Sequence, residues 1–172
     1  DFDLRQVYDV AHNIAKFEEH HVGGSSRRLL VHRKGATRAF GPKRREVPSA
    51  YREFGQPVII PGSMGSASYV MTGTDAAMEE SFGSTCHGAG RKMSRRGAVR
   101  ATKGRNIADE LKERGIHARW RGGKTMREEA PEAYKDVDHV IRVVEGIGIS
   151  RKVARLRPMG VVKGLGLPDF AK

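Results

Sequence analysis

The sequence predicts an α+β fold in which mixed sheets are flanked by helices. Short β-branched or apolar runs end in turn residues, as 58–60 does at Pro61, and other segments carry apolar residues at helical spacing, as 137–144 does. These segments do not alternate regularly as strand, helix and strand, so a purely parallel sheet is not expected. No internal repeat and no clear linker divides the 172 residues, and we therefore expect one domain.

The first predicted element is an amphipathic helix over residues 3–18, where apolar side chains recur at helical spacing. His12 follows Tyr8 by four positions, so we expect it at the border of the apolar face, directed into the protein. A strand is predicted at 29–31, and it leads into a loop at 32–38.

The middle and the end of the chain continue this mixture. Asp75 is of the residue type that caps a helix, and Gly115 is of the type that ends one. We predict a loop at 83–90 and a helix that begins near Arg91. The other strands are predicted at 58–60, 68–71, 116–120 and 155–163, and the other helices at 76–78, 107–114 and 137–146.

Basic residues dominate the charge of the chain. The formal net charge is +12, and the segments 20–45 and 91–105 contain no acidic residue. Such stretches favour contact with a polyanion such as RNA, and an ordinary solvated surface is the alternative. Without an apolar run of membrane-spanning length or a signal peptide, and with Cys86 as the only cysteine, the sequence predicts a cytoplasmic protein that does not enter membranes.

The segment 85–91, TCHGAGR, carries the most chemical information in the chain. Its glycines allow backbone N–H groups to approach a phosphate closely, and Arg91 can neutralise the phosphate charge. A neutral imidazole at His87 is able to attack phosphorus, and an ordinary loop histidine is the alternative. Nothing in the sequence supports Cys86 as a nucleophile, and we interpret it as a small packed residue.

Further distinctive segments stand in a fixed order around this one. They are YDVAHNIAK at 8–16, VHRKGATRAF at 31–40, GQPVIIPGSMG at 55–65, EEAP at 128–131 and RPMGVVKG at 157–164. Together with the histidine segment they resemble the C-terminal part of the RtcB family of RNA-splicing ligases. The resemblance implies that residues 1–164 are the C-terminal portion of a larger RtcB-like catalytic domain. Residues 165–172 extend beyond the usual end of the family and are interpreted as a tail.

The resemblance implies roles for single residues. His87 is the histidine that becomes guanylylated by GTP, and His12 is a ligand of Mn²⁺ whose partner ligands lie in the more N-terminal part of the family's domain. Asn13 contacts the nucleotide. The other nucleotide-binding residues are Pro61, Gly62, Ser63, Met64, Ser68, Gly88, Ala89, Gly90, Tyr134 and Lys163.

The basic residues and Tyr134 also have interpretations from their chemistry alone. Tyr134 offers an aromatic face to a purine, and a core tyrosine is the alternative. We expect RNA phosphates to be bound by basic side chains, against the alternative of a solvated surface. These side chains are Lys34, Arg91, Arg95, Arg96 and Arg100.

The resemblance implies a GTP- and Mn²⁺-dependent ligase that joins RNA 3′-phosphate or 2′,3′-cyclic phosphate ends to 5′-hydroxyl ends, in tRNA splicing and RNA repair. The expected partners are tRNA exon halves or broken RNA, GTP and an activating protein. A noncatalytic RNA-binding module and another nucleotidyltransferase with a covalent histidine remain the alternatives. We expect the isolated chain not to ligate RNA, because His12 alone cannot hold a metal ion in a defined geometry.

Overall fold

The computed structural model describes residues 3–122 and 124–164, and it confirms the α+β class. The chain divides into two compact units. No helix in the described ranges is long and apolar enough to cross a membrane. The first unit contains the residues up to Ile60, Tyr69–Gly88 and Ile141–Arg155, and the second contains Pro61–Ser68, Ala89–Val140 and the residues from Leu156 on. The tail 165–172 lies outside the described residues.

A long antiparallel hairpin dominates the first part of the chain. Its strands, β1 (Asn13–Val22) and β2 (Ser25–Lys34), are joined by Gly23 and Gly24. The φ angles of these glycines are +59° and +80°. A two-residue hairpin turn favours positive φ at both positions, and glycine adopts it without a Cβ clash. The Gly-Gly pair therefore fixes which residues of the two strands face each other.

The helix predicted over residues 3–18 is wrong. Residues 3–12 have no regular secondary structure, and β1 follows them. The inward face of the hairpin carries buried charged residues, among them Glu18 and Arg33, in place of apolar ones. The strand therefore lacks the alternation of apolar and polar residues by which strands are recognised in a sequence. As a result, His12 lies directly before a strand and not on a helix face.

A short antiparallel pair follows the hairpin. Strand β3 (Ala36–Arg38) pairs with β6 (Ser84–Cys86), and Ala36 lies opposite Cys86. The loops predicted at 32–38 and 83–90 are therefore partly wrong, since each contains strand residues. Strands of three residues are too short for an alternation pattern to be detected. Their pairing brings the residue after Cys86 close to the residue before Ala36.

A three-stranded sheet contains two strands that the sequence predicts correctly. Strand β4 (Pro57–Ile60) pairs antiparallel with β5 (Ser68–Gly73), and β8 (Ser150–Leu156) completes the order β4-β5-β8. Helix α1 (Asp75–Ser81) is capped by Thr74, one residue before the predicted cap. Fully buried apolar side chains of the first unit include Phe40, Val47, Val58, Ile60 and Met71.

The second unit is built mainly from short helices. The predictions of α3 (Ile107–Glu113) and β7 (His117–Trp120) are confirmed, and β7 is parallel to β9 (Gly160–Lys163). Helix α4 (Thr125–Glu128) has only four residues and was not predicted. The apolar cluster of this unit consists of Met64, Ile107, Leu111, Ile116, Met126 and Ala130.

Two predicted boundaries change, and a third is confirmed. Helix α2 (Arg95–Ala101) begins after Ser94, whose side chain accepts a hydrogen bond from the Gly97 backbone, and not near Arg91. The strand predicted at 155–163 is interrupted: 155–156 are the end of β8, 160–163 form β9, and 157–159 belong to neither strand. The helix predicted to end at Gly146 is confirmed as α5 (Val137–Gly146), which carries residues of both units.

Candidate active site

Two histidines far apart in the sequence are stacked on each other in the first unit. The ring centroids of His12 and His87 are 3.8 Å apart, and the ring planes differ by 3°. Both residues are half-buried. The structure thus brings together the predicted metal ligand and the predicted nucleophile.

The backbone of Gly35 joins the two segments that carry these rings. Its N–H donates a hydrogen bond to the His12 carbonyl (3.1 Å), and its carbonyl accepts one from the His87 N–H (3.2 Å). Gly35 lies between β2 and β3 with φ +67°, a conformation that glycine adopts readily. The Thr37 hydroxyl also donates to the Ala11 carbonyl (2.9 Å), which holds the segment before His12.

The surroundings of His87 favour the neutral imidazole. Burial lowers its pKa, and the nearby His12 lowers it further, because two stacked imidazolium rings would repel each other. Its Nδ1 atom is buried and has no hydrogen-bond partner among the described residues. A neutral imidazole keeps one nitrogen lone pair free, and this lone pair is what a nucleophile requires.

His12 fits a metal centre only as one ligand of a larger set. Among residues 3–122 and 124–164, no group of three or more histidine, cysteine and carboxylate side chains is placed to hold a metal ion. Catalytic metal sites usually take three protein ligands. The described residues therefore do not form a complete metal site by themselves.

Cys86 adjoins His87 but is a poor candidate for covalent chemistry. It is half-buried at the end of β6, and burial raises the pKa of its thiol. The thiolate is the reactive form of cysteine, so a raised pKa reduces its reactivity near neutral pH. This environment agrees with the interpretation of Cys86 as a packed residue.

Asn13 and Lys34 are the first cross-strand pair of the hairpin and lie directly opposite each other. Side chains that are directly opposite in an antiparallel pair point to the same face of the sheet. Both residues are exposed. Asn13 directly follows His12, and Lys34 directly precedes Gly35. Asn13, the predicted nucleotide contact, and Lys34, the predicted phosphate contact, therefore lie on one face of the hairpin next to the stacked rings.

In the second unit, side-chain and backbone contacts order the turn at 61–68. The Ser66 hydroxyl accepts a hydrogen bond from Ser63 N–H (2.7 Å), and the Ser68 hydroxyl accepts one from Gly62 N–H (3.2 Å). A Cβ atom at Gly62 would collide with a backbone carbonyl of the same turn, so this position needs glycine. The polar groups predicted to line the nucleotide are therefore fixed by their own turn.

Two other predicted nucleotide-binding residues have contacts in this turn. The Ala89 N–H donates to the Pro61 carbonyl (3.3 Å), which connects the glycine-rich segment to the turn. Met64 is almost fully buried in the apolar cluster of this unit. Because its side chain packs in this cluster, only the backbone of Met64 can face a ligand.

Arg91, Tyr134 and Glu129 form a hydrogen-bonded group in the second unit. The Arg91 guanidinium donates to the Tyr134 hydroxyl (3.0 Å) and to Glu129 (3.2 Å), and it lies 4.9 Å from the centre of the Tyr134 ring. Tyr134 donates its own hydroxyl proton to Glu129. The remaining guanidinium bonds reach the carbonyls of Met93 (3.1 Å) and Glu128 (2.7 Å). Arg91 is thus a structural centre of this region as well as a predicted phosphate ligand.

The other predicted basic residues lie on helix α2 and are exposed. Arg95 is 3.7 Å from Glu129, but 70% of its side chain remains accessible. Arg96 and Arg100 are one helical turn apart and therefore lie on the same side of α2. The three side chains present positive charge from a single short helix.

Lys163 lies at the end of β9 in the second unit. It is opposite Trp120 of β7, and its carbonyl accepts a hydrogen bond from the Arg121 N–H (3.0 Å). Its half-buried position leaves part of the side chain accessible.

Three residues with a part in this geometry have no role in the sequence prediction: Gly35, Thr37 and Glu129. Gly35 and Thr37 appear there only inside the segment at 31–40, and Glu129 only inside the segment at 128–131. The available signal for Gly35 is a glycine directly after a basic strand, which indicates a turn and not a bridge between two distant histidines. A carboxylate that orders other side chains has no spacing pattern of its own.

A model of the RtcB family, described as tRNA-splicing ligase RtcB, matches residues 1–164. Three relatives with that same name come from Archaeoglobus fulgidus, Pyrococcus furiosus and Thermococcus kodakarensis. They are 60%, 57% and 56% identical to the chain over 164 residues, which is 95% of its length. The matched part is 34%, 17% and 34% of the respective relatives, so the chain spans about a third of their length or less.

The stack of His12 on His87, directly before the glycine-rich segment 88–90, is the candidate active site of this α+β chain. The family match extends over nearly the whole sequence. The chain belongs to the RtcB family.

Proposed function

We propose that the chain is the nucleotide-accepting part of a ligase that joins RNA 3′-phosphate or 2′,3′-cyclic phosphate ends to 5′-hydroxyl ends, in tRNA splicing and RNA repair. The observation that carries the proposal is the stack of His12 on His87, in which burial and charge favour a neutral nucleophile. Membership of the RtcB family supports the same conclusion. The proposed location is the cytoplasm.

The first proposed step is the transfer of GMP to His87. Its Nδ1 is buried, so the attack on the α-phosphorus of GTP falls to Nε2. An N–P bond forms, the bond from the α-phosphorus to the bridging oxygen breaks, and pyrophosphate leaves. The neutral tautomer with its proton on Nδ1 has the required lone pair on Nε2.

The remaining steps use this phosphoramidate. An oxygen of the RNA 3′-phosphate attacks the guanylate phosphorus, and the N–P bond to His87 breaks. The 5′-hydroxyl of the second RNA end then attacks the activated 3′-phosphate, which forms the phosphodiester and releases GMP. A cyclic phosphate end is first opened to the 3′-phosphate by hydrolysis.

Other residues are proposed to bind and orient the substrates. Mn²⁺, when bound, would supply positive charge that stabilises the negative charge on the oxygens of the transferring phosphoryl group. His12 is proposed as one of its ligands. Asn13 and the turn at 61–68 are proposed to line the nucleotide, together with Gly88, Ala89 and Gly90. Tyr134 and Lys163 are proposed to contact the base. An activating protein is a further proposed partner.

Labelling of the full-length protein with radioactive GTP tests the proposal. GTP labelled at the α-phosphate, with Mn²⁺, is expected to give an acid-labile protein adduct, whereas label at the γ-phosphate is expected to leave with pyrophosphate. A noncatalytic RNA-binding module would form no adduct. A nucleotidyltransferase of another kind would form the adduct but would not pass GMP to RNA with a 3′-phosphate.

Positive charge on helix α2 gives the first prediction. Replacing Arg95, Arg96 and Arg100 together by Gln should weaken the binding of unrelated single-stranded RNAs to a similar extent, because phosphate contacts carry little sequence information. The slope of log affinity against log salt concentration should become shallower by about 0.7 for each contact that is lost. Binding measured over a series of salt concentrations checks this prediction.

The matched control replaces three exposed basic residues outside the two stretches without acidic residues, namely Arg119, Arg142 and Arg151. This variant removes the same charge and should change the salt slope less. Equal salt slopes in the two variants would show that α2 is an ordinary solvated surface and contradict the prediction.

The isolated 172-residue chain is expected not to ligate RNA. Ligation requires the phosphate, the attacking hydroxyl and the metal to be held in one geometry, and the described residues supply His12 as the proposed ligand. The assay mixes the chain with GTP, Mn²⁺ and RNAs bearing 3′-phosphate and 5′-hydroxyl ends, with the full-length protein as the positive control. Multiple-turnover ligation by the isolated chain would contradict the prediction.

A further inference from the structure

We infer that Glu129 is a positioning residue that sets the orientation of Arg91 and Tyr134 for nucleotide binding. The inference rests on the proposed function, in which Tyr134 contacts the base, and on the prediction from the sequence that Arg91 neutralises a phosphate. Glu129 has no role in the proposed reaction itself. Its side chain is 18% exposed and lies directly after helix α4.

The contacts of Glu129 converge on the two side chains. One carboxylate oxygen accepts a hydrogen bond from the Arg91 guanidinium (3.2 Å), and the other accepts the Tyr134 hydroxyl proton. The guanidinium of Arg91 also donates to the same tyrosine hydroxyl (3.0 Å). The three groups close a ring of hydrogen bonds, so that each of them restricts the rotamers of the other two. Hydrogen bonds with a charged partner are stronger than neutral ones.

The backbone reinforces this arrangement. Arg91 and Tyr134 form an isolated antiparallel bridge, and the Lys135 N–H donates to the Gly90 carbonyl (2.9 Å). The backbone therefore fixes where the two side chains begin, and Glu129 determines where they point. A tyrosine ring held against a guanidinium presents only one face to a ligand.

The charge of Glu129 also contributes to the raised pKa of Tyr134. Burial raises the pKa of Tyr134, and the hydrogen bond and negative charge of Glu129 add to this effect, so that the phenol remains a proton donor. The carboxylate faces Arg91, Arg95 and Tyr134. It offsets the positive charge of Arg91 and lies 3.7 Å from the Arg95 guanidinium, most of whose side chain remains accessible.

The experiment compares Glu129→Ala with Glu129→Gln in the full-length protein, measuring GTP binding and the rate of adduct formation as functions of GTP concentration. Glu129→Ala should raise the KM for GTP by about tenfold, as expected for the loss of one well-oriented contact, with a smaller change in kcat. Glu129→Gln keeps an oxygen acceptor in the same place, and it should restore most of the lost affinity.

Two further variants separate positioning from a general effect on folding. Tyr134→Phe in the Glu129→Ala background should add little to the KM, because residues that act through one another are not additive. Glu132→Ala is the matched control, since this nearby carboxylate pairs with Arg105, a residue outside the hydrogen-bonded group of Glu129. It should leave the KM unchanged.

Wild-type KM values in both Glu129 variants, or a lower melting temperature of Glu129→Ala with an unchanged KM for the folded protein, would overturn the inference. A fully additive effect of Tyr134→Phe would also overturn it. A wild-type protein that neither binds GTP nor forms the adduct would overturn the proposed function, and this inference with it.

Discussion

Replacement of His87 by Ala is expected to abolish the guanylate adduct and RNA ligation while leaving the fold intact. The side chain is half-buried and stacked on His12, and alanine removes the only nitrogen to which the proposed mechanism assigns the attack. The loss of a nucleophile should reduce the ligation rate by at least about a thousandfold. Mass spectrometry of the full-length protein after incubation with GTP and Mn²⁺ measures the adduct directly.

An exposed histidine provides the control for this experiment. His139 of helix α5 is exposed, and His139→Ala should form the adduct at the wild-type rate. Circular dichroism of both variants should match that of the wild type. A guanylate that remains on the His87→Ala protein would assign the nucleophile to another residue.

Replacement of Glu18 by Ala is expected to destabilise the protein by about 3–5 kcal/mol, the usual cost of leaving one member of a buried ion pair without its partner. Both oxygens of Glu18 accept hydrogen bonds of 2.8 Å from Arg33. The side chains of Glu18 and Arg33 are 4% and 1% exposed. Urea denaturation measures the change in the free energy of unfolding.

The neighbouring carboxylate supplies the control. Glu19 points to the opposite, exposed face of β1, and Glu19→Ala should change the stability by less than about 0.5 kcal/mol. If Glu18→Ala does not fold, Glu18→Gln is the milder variant, because the amide still accepts a hydrogen bond from Arg33. Equal stabilities of the Glu18 and Glu19 variants would contradict this view of the ion pair.

The same carboxylate should contribute to the acid sensitivity of the protein. Burial alone would raise the pKa of Glu18, but the hydrogen bonds from Arg33 and His20 and the charges of Arg33 and Arg38 outweigh it, so that the pKa lies below its ordinary value of 4.5. A lowered pKa in the folded state means that the stabilisation is present above pH 4.5 and is lost as the pH falls through the folded-state pKa. Glu18→Gln should therefore flatten the dependence of stability on pH in this acid range.

The sequence predicts the elements whose patterns are local. The strand at 58–60 is β-branched and stopped by a turn, and the helix at 137–146 has apolar residues at helical spacing, so both are found where expected. Strand β1 is missed because its buried face is stabilised by an ion pair, and such a pair leaves no apolar pattern in the sequence. The Gly-Gly pair between β1 and β2 is the signal by which the hairpin was recognisable.

In the candidate site, too, single residues are predictable from the sequence but their tertiary contacts are not. The resemblance to a family identifies His87 and His12, but not that their rings are stacked, because this depends on the pairing of β3 with β6 and on the backbone of Gly35. The hydrogen-bonded ring around Glu129 likewise depends on segments that are separate in the sequence. Contacts of this kind follow from tertiary packing, for which local spacing carries no information.

Through the hydrogen bonds of Gly35, the position of His87 depends on the hairpin of β1 and β2. The turn of this hairpin, at Gly23 and Gly24, lies at the opposite end from Asn13 and Lys34. Arg33 adds to this connection, since it donates hydrogen bonds from the hairpin to the Phe82 carbonyl and to the hydroxyl of Ser84, the first residue of β6 (2.8 Å each). Opening of the hairpin is therefore expected to displace His87, the proposed nucleophile. We therefore expect substitutions along the hairpin towards Gly23 and Gly24 to impair the proposed guanylylation as well, although these glycines have no proposed contact with the nucleotide.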